Sequence, residues 1–193
     1  TGYTAPSVIG QSECIINAQK MAMIQSHELD YVECHGTATI LGDPIEVQAL
    51  KEAFENNSNK DILSKHKCNL GAIKANIGHA DSAAGVAGLI KVCCMLQNNT
   101  IPGQANFNEA NPELHLETTN FEITNNNKSW LPKKNERRLA GVSSFGIGGT
   151  NAHVIISDYI SSPSKGISDK KISRSESDKC YVFPLSAKNR KSV

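Results

Sequence analysis

Neither sign of charge is in excess. The 193-residue chain carries 20 Lys and Arg against 19 Asp and Glu, a net charge of +1, with a pI near 7.6. That balance gives no reason to expect nucleic acid or a membrane surface as a partner. Long apolar runs are also missing. No apolar stretch with basic flanks opens the sequence, so no signal peptide is read, and the most apolar segment is too short and too interrupted to span a bilayer. Ligand-spaced cysteines are missing too. The six cysteines (14, 34, 68, 93, 94, 180) fall within apolar segments and include no C-x-x-C pair. A disulfide framework is thereby excluded, and neither Cys34-His35 nor His66 with Cys68 amounts to a zinc site. The expectation is buried thiols in a reducing cytoplasm and no metal. No internal repeat is visible.

What the chain does have is organised around residues 69–96, NLGAIKANIGHADSAAGVAGLIKVCCML. Within residues 80–96 the only polar side chains are Asp81, Ser82 and Lys91, so a helix there is expected to be buried on all sides. Its first half is Ala and Gly, which lets neighbouring backbone approach closely. His79 stands just ahead of it, where the positive end of a helix dipole would favour neutral imidazole.

Along the chain, residues 7–24 read as an amphipathic helix with Cys14, Ala18, Met21 and Ala22 on one stripe. Residues 30–35 read as a strand delivering His35, and 36–42 as a turn-rich loop. A helix from 43 to about 54 follows, with Asp43 at the N-cap, Pro44 at N1 and Glu46 at N3 of a capping box. A second strand is expected over 68–75, leading through residues 76–78 into the buried helix. Residues 101–132 are poorly periodic, with short strand pieces near 121–123. Strands over 139–145 and 152–158 flank a Gly-rich turn at 146–149 as a hairpin. Residues 160–180, rich in Ser, Lys and Asp, read as a flexible linker, and a strand resumes at 181–185. Helices and strands alternating up to residue 97 predict an α/β layered domain. In such sheets functional groups collect at the C-terminal strand ends, so His35 and His79 are expected to face one crevice.

The chemistry of those residues points the same way. His35 lies in CHGTAT, where Gly36 allows a sharp turn and Thr37 and Thr39 suit a polar ligand passing close to backbone. Two neutral imidazoles converging on one oxygen would stabilise developing negative charge there. Lys74, among Ile73 and Ala75, predicts a partly buried ammonium needing a carboxylate or carbonyl partner. His153, in an alternating strand, reads as structural.

Three segments in this order resemble the C-terminal half of β-ketoacyl synthases, and most of all the ketosynthase domains of modular polyketide synthases: HGTAT (35–39) with GDPIE (42–46), IKANIGHADSAAGVAG (73–88) and SSFGIGGTNAHVI (143–155). The resemblance covers residues 1–159. It implies a thiolase-like fold of two related halves packed as α-β-α-β-α layers, of which this chain holds mainly the C-terminal half. It also implies a decarboxylating Claisen condensation in polyketide or fatty-acid-like biosynthesis, with His35, His79 and Lys74 as catalytic residues. Thr37 and Thr39 match threonines that contact a phosphopantetheine arm. Phe145, Gly146, Ile147, Gly148 and Gly149 match a loop gating the acyl pocket. No bound cofactor is implied beyond the phosphopantetheine arm of an acyl carrier protein. The implied partners are that carrier, the missing N-terminal half, and a second copy in a homodimer of the complete enzyme.

Residues 181–193, beginning YVFPLSAKN, resemble the start of a linker to the next module. Ala38 stands where the family usually has glycine, so a positive φ there would strain the turn. Ile147 stands where fatty-acid synthases often carry a second gating Phe. No cysteine lies in the family's nucleophile context, DTACSS. The nucleophile is expected in a half preceding Thr1, and the chain alone to be inactive. A non-catalytic carrier-docking or structural half is the competing reading. A thiolase is disfavoured because residues 143–155 carry no cysteine.

Overall fold

The structure, a computed structural model, describes residues 6–132 and 137–159. The expected linker at 160–180 and the strand at 181–185 lie outside the described residues.

The helices are α1 (Val8–Met21), α2 (Gly42–Asn56), the short α3 (Lys60–Leu63) and α4 (Lys74–Ile77), and α5 (Ala84–Asn98). The strands are β1 (Tyr31–Glu33), β2 (Cys68–Gly71), β3 (Thr100–Ile101), β4 (Phe121–Glu122), β5 (Lys128–Ser129), β6 (Leu139–Phe145) and β7 (Asn151–Ser157). Five of them form one sheet in the order β4-β2-β1-β6-β7. Its first four strands are mutually parallel, and β7 returns antiparallel to β6. The 139–158 hairpin is therefore present, with Phe145 opposite Asn151 across the Gly-rich turn. β3 and β5 pair separately.

Alternation along β1 sorts side chains to the two faces. Val32 joins Ile15, Leu50, Phe54, Leu70 and Phe121 in a core beneath α1 and α2. Tyr31 joins Val92, Met95, Ile101, Trp130 and Val142 in a second core beneath α5. The described residues thus make three layers, α-β-α. The glycines of α5 do allow close approach: a Cβ on Gly85 would sit 3.0 Å from Ser144 Oγ, and one on Gly88 2.9 Å from Glu33 Cγ.

Several elements differ from the expectation. The buried stripe of α1 is Gln11, Ser12, Ile15 and Gln19, while Met21 is 85% exposed. Polar Gln19 goes inside because its Oε1 accepts from Ser26 Oγ at 2.8 Å and Asn57 Nδ2 at 2.9 Å. There is no capping box on α2. Its N-cap is Leu41, and the carboxylates of Asp43 and Glu46 reach back to the loop before it. The second strand ends at Gly71 rather than 75. Beyond it, side chains supply the backbone partners: Gln104 Oε1 takes the Ala72 N–H and Glu33 Oε1 the Ile73 N–H. Lys74 therefore opens the one-turn helix α4. Finally, α5 is not buried all round. Ala84, Gly88, Val92, Met95 and Leu96 face the sheet, while Val86, Ile90 and Cys94 are exposed.

Candidate active site

The three sequence segments meet at the C-terminal ends of β1, β2 and β6. The His35 and His79 ring centroids are 5.5 Å apart and nearly perpendicular, at 82°. Phe145, at the end of β6, brings its ring to 5.9 Å from His35.

His35 is held by its main chain from both sides. Glu46 clamps the turn, accepting the His35 N–H at 2.6 Å through Oε1 and the Gly36 N–H at 2.8 Å through Oε2. Lys74 Nζ donates to the His35 carbonyl, so the expected carbonyl partner is present. Gly36 takes φ +48°, and a Cβ there would lie 2.7 Å from the Ala72 Cβ. The segment passes too close to the β2 end for any side chain.

Burial pushes the His35 pKa down to about 4, with Lys74 and His79 adding to the effect. The imidazole is therefore neutral at physiological pH. Its Nδ1 is buried without a hydrogen-bond partner among the described residues. His79 does not sit on the first turn of the long helix: α5 begins at Ala84, behind a 3-10 turn at Asp81–Ala83. The dipole effect fades within a turn, so it is local hydrogen bonding that sets the ring. Nδ1 accepts the Asp81 N–H at 3.0 Å, a bond that leaves Nε2 to carry the proton and donate.

Burial also shifts the surrounding groups. It lowers the Lys74 pKa, which Glu46 and Glu33 push back up. It raises Glu46 to about 7, against the two backbone N–H groups that favour the carboxylate. It holds the Cys34 thiol well above its ordinary value, with Glu46 and Glu33 adding to the rise. Cys34 thus lacks the thiolate character of a nucleophile, and it packs against the core beneath α2.

A cavity of about 470 Å³ opens beside these groups, lined among others by Thr37, Lys74, His79, Gln104, Asn106 and Phe107. Of the candidate ligand contacts, Thr37 reaches it. Thr39 does not line it: its Oγ1 takes the Gly42 N–H at 3.0 Å and lies 3.2 Å from Thr37 Oγ1. The turn at 146–149 is exposed, Ile147 at 84%, and lines no part of the cavity. Ala38 has φ +56°, the left-handed backbone that its Cβ disfavours. His153 is structural, buried with Nδ1 3.0 Å from Ser143 Oγ. Among the described residues, no three His, Cys, Asp or Glu side chains converge to hold a metal.

Sequence reasoning misses the carboxylates behind the site. It assigns Glu46 to a capping box and Asp43, whose Oδ1 takes the Ala38 N–H at 3.0 Å, to an N-cap. Glu33 carries a legible signal. A carboxylate in an apolar strand and a lysine in an apolar helix each need a partner, and each is the other's, Lys91 Nζ to Glu33 Oε2 at 2.7 Å.

The sheet is mostly parallel and brings two imidazoles and an ammonium to its strand ends, and the solved structures it resembles, ketosynthase domains, place it in the thiolase-like α/β class. Residues 1–108 match the family "Beta-ketoacyl synthase, C-terminal domain", and residues 110–193 match "Ketoacyl-synthetase C-terminal extension". The chain therefore belongs to the β-ketoacyl synthase family. It is 44% identical over 157 residues to a component of the phenolphthiocerol/phthiocerol polyketide synthase of Mycobacterium tuberculosis, covering 81% of this chain and 10% of that protein. It is 39% identical over 198 residues to polyketide synthase PksM of Bacillus subtilis, covering 98% and 4%. Among solved structures it is similar to ketosynthase twelve of the bacillaene polyketide synthase of Bacillus amyloliquefaciens, at 37% identity and TM-score 0.76, covering 83% of this chain and 28% of that one. The ketosynthase from module 1 of the bacillaene synthase of the same species gives 41% and 0.75, covering 83% and 29%. The chain thus spans about a tenth or less of these curated relatives and under a third of these solved ketosynthases.

Proposed function

We propose that this chain supplies the decarboxylating side of a ketosynthase site, acting with an upstream half that carries the nucleophilic cysteine. The proposed substrates are an acyl thioester on that cysteine and a malonyl-type thioester on the phosphopantetheine arm of an acyl carrier protein. The setting is polyketide or fatty-acid-like biosynthesis, in the cytoplasm, in a complete enzyme that is a homodimer. Residues 1–159 would be the ketosynthase portion, 160–180 a linker and 181–193 the approach to the next module.

The observation that carries the reading is the convergence of two imidazoles, His35 neutral and His79 with Nε2 free to donate, at a cavity of about 470 Å³ that His79 and Lys74 line. The bond between the malonyl α-carbon and its carboxyl group breaks, carbon dioxide leaves, and the electron pair moves onto the thioester oxygen as an enolate. His35 and His79 donate hydrogen bonds to that oxygen, an interaction stronger in the transition state than in the ground state. The enolate carbon then attacks the acyl thioester carbonyl, and the cysteine thiolate leaves. Lys74 braces His35 through its carbonyl. Thr37, with Thr39 behind it, lies where the arm would pass, and the Phe145–Gly149 turn gates the acyl side.

In a complete domain, His35→Ala and His79→Ala should each cut carbon dioxide release from a malonyl thioester by about 10²–10³, with carrier-protein binding retained. Unchanged release would overturn the proposal. Binding with no release even in the unmutated domain would favour a docking role.

A further inference from the structure

We propose that Glu33, held between Lys91 and Tyr31, is a positioning residue for Lys74: it sets the turn from which the ammonium reaches the His35 carbonyl. The kinetic part of this inference rests on the ketosynthase reading, whereas the geometric part does not.

Glu33 ends β1 and is 1% exposed. Both of its oxygens are committed. Oε2 accepts from Lys91 Nζ at 2.7 Å and from Tyr31 OH at 2.5 Å, and Lys91 Nζ also donates to Tyr31 OH at 2.7 Å, closing a triangle. Oε1 accepts the Ile73 N–H at 2.6 Å, and Ile73 is the N-cap of α4, directly before Lys74. The outer side of the same turn is fastened separately. Gln104 takes the Ala72 N–H at 2.9 Å and donates to the Ala72 carbonyl at 3.1 Å, and Asn106 donates to the Ala75 carbonyl at 2.9 Å. The Ile73 N–H is thus where the buried layer grips the turn. A Cβ on Gly88 would come 2.9 Å from Glu33 Cγ, so α5 leaves Glu33 this place by having no side chain there.

Stability alone does not account for the triangle, since apolar groups of similar volume often replace a buried ion pair without loss. They could not accept the Ile73 N–H or place negative charge near Lys74. The groups bearing on Lys74 are Glu46 and Asp43 from α2, Glu33 from β1 and Cys34 just beyond it, with the imidazoles of His35 and His79 beside it. Glu33 favours the ammonium form, so removing its charge lets Lys74 lose its proton at lower pH.

The test uses Glu33→Gln in this chain joined to the upstream half of a ketosynthase domain, with a malonyl thioester as substrate. Decarboxylation kcat should fall by about tenfold with KM within about twofold. The alkaline limb of the pH–rate profile should move to lower pH, because the Glu33 charge that favours the ammonium is gone. Lys128→Gln, in an exposed ion pair, should change neither. In the chain itself, exchange of the Ile73 amide hydrogen should become about tenfold faster in Glu33→Gln, because a charge-assisted acceptor is lost. Tyr31→Phe, which removes one donor to Oε2, should move the same readouts in the same direction and serves if Glu33→Gln does not fold. An unchanged kcat and alkaline limb would overturn the proposal. If the unmutated domain releases no carbon dioxide, the ketosynthase reading falls instead. Ile73 exchange then decides alone, and unchanged protection overturns the positioning role.

Discussion

At the scale of single residues, main-chain clamps hold the candidate site in place. Glu46 and Lys74 hold the two ends of one residue, His35, and Glu33 holds the turn that carries Lys74. Of the positive-φ residues in this region, Asp81 and Asn106 have the polar side chains that tolerate left-handed backbone, and Ala38 does not. Ala38 has a left-handed φ of +56°, so Ala38→Gly should raise stability by about 0.5–1 kcal/mol, the relief of strain less the added chain entropy. Denaturant unfolding checks this, and a loss of stability would count against it.

A second residue-scale prediction concerns His153, whose pKa burial lowers to about 4 from 6.5. Between those values the unfolded chain binds more protons than the native one. The stability from neutral burial is therefore full above pH 6.5 and is lost as pH falls to 4, up to roughly 3 kcal/mol. The stability gap between the parent and His153→Gln should narrow by that order over the same window. Half-exposed His35 acts in the same direction more weakly, and Glu46, with its raised pKa, acts in the opposite one. The difference from the single variant, rather than the parent's own curve, is what isolates His153.

At the scale of elements, the core beneath α1 and α2 carries the sheet that aims the site. Phe54 is fully buried and meets Phe121 edge-on at 4.9 Å. Phe54→Ala should cost about 3–5 kcal/mol by joining the lost burial to a cavity between α2 and β4, and thermal unfolding measures it. The three long helices and the strands of the main sheet were legible from periodicity and turn chemistry, as at residues 139–145, where expected and observed bounds coincide, whereas the short α3, α4, β3 and β5 were not. The stripe of α1 and the end of β2 were not legible. In both, a polar side chain distant in sequence, Ser26 with Asn57 or Gln104 with Glu33, supplies the bond that decides which way the chain turns.

At the scale of the whole molecule, one side of α5 has no cover among the described residues. Val86 and Ile90 are 59% and 56% exposed, Ile77 on α4 is 59% exposed, and Cys94 is exposed as well. Apolar surface of this kind tends to be covered. The chain on its own should therefore self-associate, with Ile90→Glu reducing the association. Sedimentation over a range of concentrations checks it, and a monodisperse monomer at all concentrations would contradict it.

The sequence by itself determined the α/β class and the hairpin about 146–149, because local periodicity and short motifs need no distant partner; it also named His35, His79 and Lys74 as the candidate site residues. Tertiary structure alone decided that the two imidazoles meet at 5.5 Å. It alone decided that three carboxylates serve the turns around the site. The reason is that a buried charge or an unpaired N–H takes whichever partner the packed layers bring within reach, and that partner is fixed only when β1, α2, α4 and α5 are assembled.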